Sequence, residues 1–368
     1  MNLFMFIIWN KAYHKKDEII HDISKSFIVH KTIEVRWSES LFAENLSRFY
    51  GQKLPKGCHK EQACGVGPFT LVIFEDPSPV YELRKTTRGV DELVNINTFD
   101  KKTEYRKLSS DESERFKNHI HGTNSVEETE HDLTLLTGYS PEEFMEKVKE
   151  IPDTLTQDIV GAKGWDSLNQ LFYVLNHTCK YVVLRNFEGL PESFHIGGHE
   201  DIDILTDKYE DIRLICNAKA VFRQKYRVQC MCNISGCPTQ FDFRYVGDGY
   251  YDEKWEKNIL KNRTAFNDIY VPDDENYPYM ILYHALIHKR KIAEDYIQRL
   301  DAMFGSSEWG KECLEKFMGD NGYCYTEPND LSVYFNTDIA KINISPKRKA
   351  KTKVKSVKRS IKKMISRG

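Results

Sequence analysis

The sequence is poor in several things, and each shortage excludes something. No apolar run approaches the ~20 residues that a membrane-spanning helix needs; the first, Leu3 to Trp9, is far shorter. The start carries neither a basic stretch nor a small-residue cleavage site, so no secretory leader is expected. The nine cysteines are odd in number and scattered, the pattern of reduced thiols in a cytoplasmic protein rather than of a disulfide framework. Cys230, Cys232 and Cys237 lie close together, but no CxxC or histidine pair completes four zinc ligands, and unligated thiols are expected. Overall charge is also slight, at −2, and it conceals an asymmetry. Residues Lys347 to Arg367 hold eleven bases and no acid, which leaves 42 bases against 55 acids, or −13, for the rest. An acidic body speaks against nucleic-acid binding, and no specific nucleic acid is expected as a partner.

What is present is the material of a globular protein: 368 residues, 40% apolar and 29% charged, enough for two domains. Leu3 to Trp9 reads as a strand, and Asp17 opens a helix carrying Ile19, Ile20 and Ile23. Residues Phe27 to Trp37 alternate as a half-buried strand does. Ser38 caps a helix with Leu41, Phe42, Leu46 and Phe49, and Gly67-Pro68 leads into a strand from Phe69 to Phe74. A less regular, cation-rich stretch runs from Tyr81 to Lys107. This alternation predicts an α+β domain of the split-βαβ, ferredoxin-like kind over residues 1–148.

The most informative stretch is Asn118-His119-Ile120-His121-Gly122-Thr123-Asn124-Ser125. Asn124 or Ser125 can cap the following helix, Ser125 and Glu128 have the spacing of a capping box, and Val126, Thr129, Leu133 and Leu136 recur at helical spacing. His121 thus precedes a helix N-terminus, where free N–H groups attract phosphate and an imidazole can serve as nucleophile.

This segment resembles the active-site signature of nucleoside diphosphate kinases, and the resemblance extends through the first domain. His121 falls on the phosphorylated histidine and Asp132 on the glutamate that orients it; Thr123 and Asn124 replace serine and aspartate. Gly67-Pro68-Phe69-Thr70-Leu71-Val72-Ile73 is similar to the family's glycine-proline strand. The resemblance implies that Tyr50 stacks on a nucleobase, and that Lys56, Arg88 and Arg106 hold phosphates, with Asn118 also matching. Lys11 is a displaced candidate for the family's phosphate lysine, and Ser109 to Phe116 reads as an insertion. ATP or another nucleoside triphosphate, with magnesium, would be the cofactor set, nucleoside diphosphates the acceptors, and a homo-oligomer the assembly to test for.

Residues 149–165, with Pro152, Gly161 and Gly164, read as a linker. In the second domain, 166–340, a helix from Ser167 to Cys179 leads into a strand at Tyr181 to Arg185. Asp201 and Asp203 then share one face of a strand, and Asp242 sits between two phenylalanines on one arm of a hairpin from Arg227 to Arg244. Three convergent carboxylates are what a magnesium-dependent transfer site needs. The pattern resembles the nucleotidyltransferase superfamily, which implies a mixed sheet with a helical companion around 274–304 and includes LicD/fukutin-type phosphotransferases acting on glycans. His284 and His288 are expected as core or surface residues. In the tail, 341–368, Val354, Val357, Ile361, Met364 and Ile365 form an apolar stripe among lysines, which suits an anionic membrane surface or, equally, a disordered solubilising tail.

The leading expectation is nucleotide-dependent phosphoryl transfer through a phosphohistidine, coupled to a second metal-dependent site. The rivals are a glycan-modifying phosphotransferase whose first domain only binds nucleotide, and a non-catalytic, membrane-tethered interaction module.

Overall fold

Leu3-Phe4-Met5-Phe6-Ile7-Ile8 is apolar at every position because it is buried on both faces: it is strand β1 (Leu3–Ile8), second in a five-stranded sheet. The computed structural model describes residues 2–86, 89–111, 113–196, 198, 201–224, 226–306 and 308–350. They form two compact units of mixed α and β structure, residues 1–179 with 210–217, and residues 180–209 with 218 onward.

In the first unit β1 is followed by α1 (Lys16–Ser26), β2 (Ile28–Arg36), α2 (Phe42–Phe49), α3 (His59–Cys64) and β3 (Phe69–Glu75). A hairpin, β4 (Tyr81–Lys85) and β5 (Asp91–Asn95), and helix α4 (Ile96–Leu108) fill the cation-rich stretch that looked irregular. Asn95 caps α4 by accepting from the Asn97 N–H. Then come β6 (Ile120–Gly122), α5 (Val126–Thr137), α6 (Pro141–Glu146), β7 (Thr154–Thr156) and α7 (Leu168–Thr178). The sheet order is β6-β1-β3-β2-β7. The first three pairings in that order are antiparallel, and a bulge between Val29 and Lys31 shifts the β2–β3 register. Phe4, Phe6 and Ile8 from one side of β1 pack with Ile19 and Ile23 of α1 and Tyr105 of α4.

Two boundaries differ from expectation. Residues 149–165, expected as a linker, supply β7, which pairs in parallel with Glu34 to Arg36. Helix α7, expected in the second domain, belongs to the first unit, where Tyr173 accepts from the Ser140 N–H and His177 meets Glu130. Arg48 explains part of this. Its buried guanidinium donates to the carbonyls of Val160, Leu214 and Ile215, so it fastens both the supposed linker and residues 210–217 to α2. Burial, against the weaker opposing pull of Cys216 and Glu44, draws its pKa down to about 10.

In the second unit β8 (Tyr181–Val183), β9 (Asp201–Thr206), helix α8 (Tyr209–Ile215, most of which belongs to the first unit), β10 (Lys219–Ala220), β11 (Gln229–Ile234) and β12 (Cys237–Tyr245) follow in order. The second sheet runs β10-β11-β12-β9-β8, with β12 and β9 parallel and the other pairs antiparallel. The β11–β12 turn is tighter than expected: Ser235 and Gly236, with φ of 51° and 79°, make the two-residue connection whose twist suits a hairpin. Helices α9 (Glu253–Lys261), α10 (Tyr277–Tyr283), α11 (Glu294–Phe304) and α12 (Lys311–Asp320) enclose a second core around Trp255, Tyr283 and Leu314. His284 and His288 lie in that core on one π-helical turn. None of the nine cysteines is in a disulfide. No helix among the described residues is long and apolar enough to cross a membrane. The tail stripe from Val354 to Ile365 lies outside the described residues.

Candidate functional site

His121 is placed by the middle of β6, opposite Ile7 of β1. Gly122 follows because no side chain fits: a Cβ there would stand 2.5 Å from the Phe6 ring. The His121 Nε2 lies 2.6 Å from Asp132 Oδ2 on α5, and Asp132 takes His131 Nδ1 on its other oxygen at 2.8 Å. A carboxylate only accepts, so Nε2 carries the proton and the Nδ1 lone pair is left without a hydrogen-bond partner among the described residues. Asp132 is buried, which alone would raise its pKa, but His121 and then His131 outweigh burial and hold it below the usual carboxylate range.

The ring sits edge-on to Phe49 and Tyr50, with centroids 5.2 and 5.8 Å away. Tyr50 was expected to stack on a base, but Lys60 Nζ stands 3.9 Å over its ring, so that face is covered in this conformation. Arg106 is close by: its Nε donates to the Ile120 carbonyl at 2.8 Å, and it forms no ion pair among the described residues. Burial lowers its pKa.

The other expected phosphate ligands are less well gathered. Lys11 is exposed, its stem passing Gly65, and Asn118 is exposed on the loop before β6. Lys56 is exposed beside a depression that also carries Glu39, Glu44 and Glu61. Arg88 lies outside the described residues.

The helix N-terminus is also less open than its sequence suggests. Ser125 accepts from Glu128 N–H at 3.2 Å, and Glu128 accepts from Asn124 N–H at 2.6 Å. The Ser125 cap uses one of the helix's free N–H groups, and Glu128 sets a carboxylate where an anion would come. Thr123 turns into the sheet, where it bonds Met5 and Thr129. The positive charge that reasoning from sequence missed is Lys102. It is buried, donates to the Gly122 carbonyl and to Asn124 Oδ1, and burial, against the pull of Glu128, draws its pKa down to about 8. A lysine on an irregular-looking segment gives no sequence signal of being buried. His121, Glu128 and Asp132 have ligand atoms within 4.8 Å of one another, a spacing that could also hold a metal. Ser109 and Phe116 are tied to the residue before β6, since the buried His119 ring meets their carbonyls at 3.1 and 2.8 Å.

The second unit brings its three expected acids together. The parallel register sets Asp203 beside Asp242 and Asp201 beside Gln240. Their ligand oxygens lie within 4.8 Å of one another, with Asp203 and Asp242 buried and Asp201 half-buried. Burial pushes Asp203 up despite Arg185, and burial, with Asp203 next, pushes Asp242 up to about 7. Asp242 Oδ1 is buried without a hydrogen-bond partner among the described residues. Three carboxylates with an orphaned buried oxygen fit a hard divalent cation, which prefers oxygen donors. Two arginines that the sequence did not single out stand among these acids. Arg185 reaches Asp203 at 2.7 Å, and Arg244 lies 3.8 Å from Asp242 and 3.6 Å from Asp248.

No protein-family model matches the chain, and no curated protein matches it.

Proposed function

We propose that the first unit transfers a phosphoryl group through His121 in the manner of a nucleoside diphosphate kinase, and that the second unit holds magnesium on Asp201, Asp203 and Asp242 as a nucleotidyltransferase does. The observation that carries the first half is the His121–Asp132 pair at 2.6 Å, because it fixes which ring nitrogen can attack. The Nδ1 lone pair would form a bond to the γ-phosphorus of a nucleoside triphosphate while the bond to the β-phosphate oxygen breaks and the diphosphate leaves. A second nucleoside diphosphate would then take the phosphoryl group back from nitrogen. Arg106 and Lys102 supply positive charge beside the strand that bears the histidine. The β6-β1-β3-β2 order is the one a ferredoxin-like domain requires, and the mixed second sheet with its helices accords with a nucleotidyltransferase-like domain. Magnesium on the three acids would neutralise phosphate charge and orient the transferred group.

The covered face of Tyr50 and the exposed positions of Lys11 and Lys56 count against a working kinase site, and in a second reading the three acids of the second unit carry the phosphotransfer instead. Acid-labile label from γ-labelled ATP, present on the wild type and absent from His121→Ala, separates the two.

A further inference from the structure

Arg185 occupies a position that the three-acid site has no need of. It follows β8, its guanidinium reaches Asp203 at 2.7 Å, and both side chains are nearly inaccessible, at 11% and 3% exposed. Its other nitrogen donates to the Tyr250 hydroxyl at 3.2 Å, which meets His284 Nδ1 at 2.7 Å. Asn186, directly after it, has φ of 56°, so the chain bends sharply where the guanidinium is set. Across the cluster Arg244 is also buried, and its Nε has no hydrogen-bond partner among the described residues. Asp242 Oδ1 is likewise without a partner among them. Satisfied donors and acceptors are the rule in protein interiors, so a carboxylate oxygen and an arginine nitrogen left bare in one cluster indicate a missing ligand with both positive and negative parts.

We propose that Arg185 is a latch on the metal site: it competes with a divalent cation for Asp203, and when the cation arrives it is released to hold the phosphates that accompany the metal. The inference rests on the three-acid reading above and adds a residue whose effect has the opposite sign to that of the acids. A guanidinium on Asp203 repels an incoming cation and uses an oxygen the cation needs. Tyr250 keeps a hydrogen bond to Arg185 that does not involve Asp203, so the side chain has an anchor when that pair opens. The ligand implied is a metal–polyphosphate complex, in which the cation meets the acids and the phosphates meet Arg185 and Arg244.

The test uses the full chain. Manganese binding is measured by electron paramagnetic resonance, and binding of a non-hydrolysable nucleoside triphosphate is measured at saturating manganese, for wild type, Arg185→Gln and Arg185→Lys. Arg185→Gln should bind manganese about tenfold or more tighter than wild type and, with manganese present, should bind the triphosphate about tenfold more weakly. Arg185→Lys keeps the charge and should stay near wild type in both, which also guards against a poorly folded glutamine variant. Manganese affinity that is unchanged or weaker in a folded Arg185→Gln overturns the latch and leaves the three-acid site standing. Absence of manganese binding in all three proteins overturns the three-acid reading, and the latch with it.

Discussion

Asp132→Asn is the perturbation that bears most directly on the His121 chemistry. Asp132 now accepts from two imidazoles at once, His121 at 2.6 Å and His131 at 2.8 Å. Asparagine offers one carbonyl oxygen and one NH2, so it can accept from only one of them. If the NH2 faces His121, Nε2 must become the acceptor, the proton moves to Nδ1, and the attacking lone pair is lost. If the oxygen faces His121, the tautomer survives but a charge-assisted bond worth about 1.5–3 kcal/mol becomes a neutral one of about 1 kcal/mol. In that second case a loss of about 0.5–2 kcal/mol corresponds to phosphorylation slowed roughly 2- to 30-fold, and in the first case, with the attacking lone pair gone, the loss is larger. Single-turnover labelling from γ-labelled ATP measures this, with nucleotide affinity expected to stay within about threefold. Labelling as fast as in wild type refutes the claim that Asp132 sets the reactive nitrogen. The same carboxylate has a pH signature. Its pKa is depressed in the folded state, so its stabilisation is present above the unfolded value of about 3.9 and is lost as pH falls through the folded one. Acid unfolding of Asp132→Asn should therefore be shallower.

Asp201→Asn should weaken magnesium or manganese binding without unfolding the protein, because Asp201 is the least buried of the three acids; identical calorimetric affinity in both proteins refutes the site. Gly122→Ala should lower stability by about 1–3 kcal/mol, because the new methyl would fall 2.5 Å from the Phe6 ring in a closed core; an unchanged melting temperature contradicts that packing. The basic tail should carry the protein to anionic vesicles in a salt-sensitive way, so full-length protein should float with them and residues 1–345 should not; equal flotation refutes a role for the tail.

The elements that could be read in the sequence are those whose pattern is local and strong. Leu3 to Ile8, Phe69 to Glu75 and the strand Ile28 to Arg36 carry continuous or alternating apolar residues, and Ser167 announces α7 by its capping position. The pairing of Asp201 and Asp203 on one face follows from strand geometry alone, and Asp242 was marked by its phenylalanine neighbours. What escaped depends on contacts distant in sequence. Strand β7 is Thr-Leu-Thr and gains its place only through β2, while Arg48 draws residues 210–217 to the first unit through carbonyl oxygens that no side-chain pattern reveals. Lys102 reads as a surface residue until the Gly122 carbonyl and Asn124 are seen around its ammonium. The partnership of Arg185 with Asp203 emerges only when β8 and β9 lie side by side.

The central claim is that His121 Nδ1 accepts a phosphoryl group, and the measurement that tests it most directly is the label the protein retains after brief exposure to γ-labelled ATP and magnesium. Wild type should carry acid-labile, base-stable label that added nucleoside diphosphate discharges, and His121→Ala should carry none. A wild-type protein that binds nucleotide yet retains no more label than His121→Ala would contradict it.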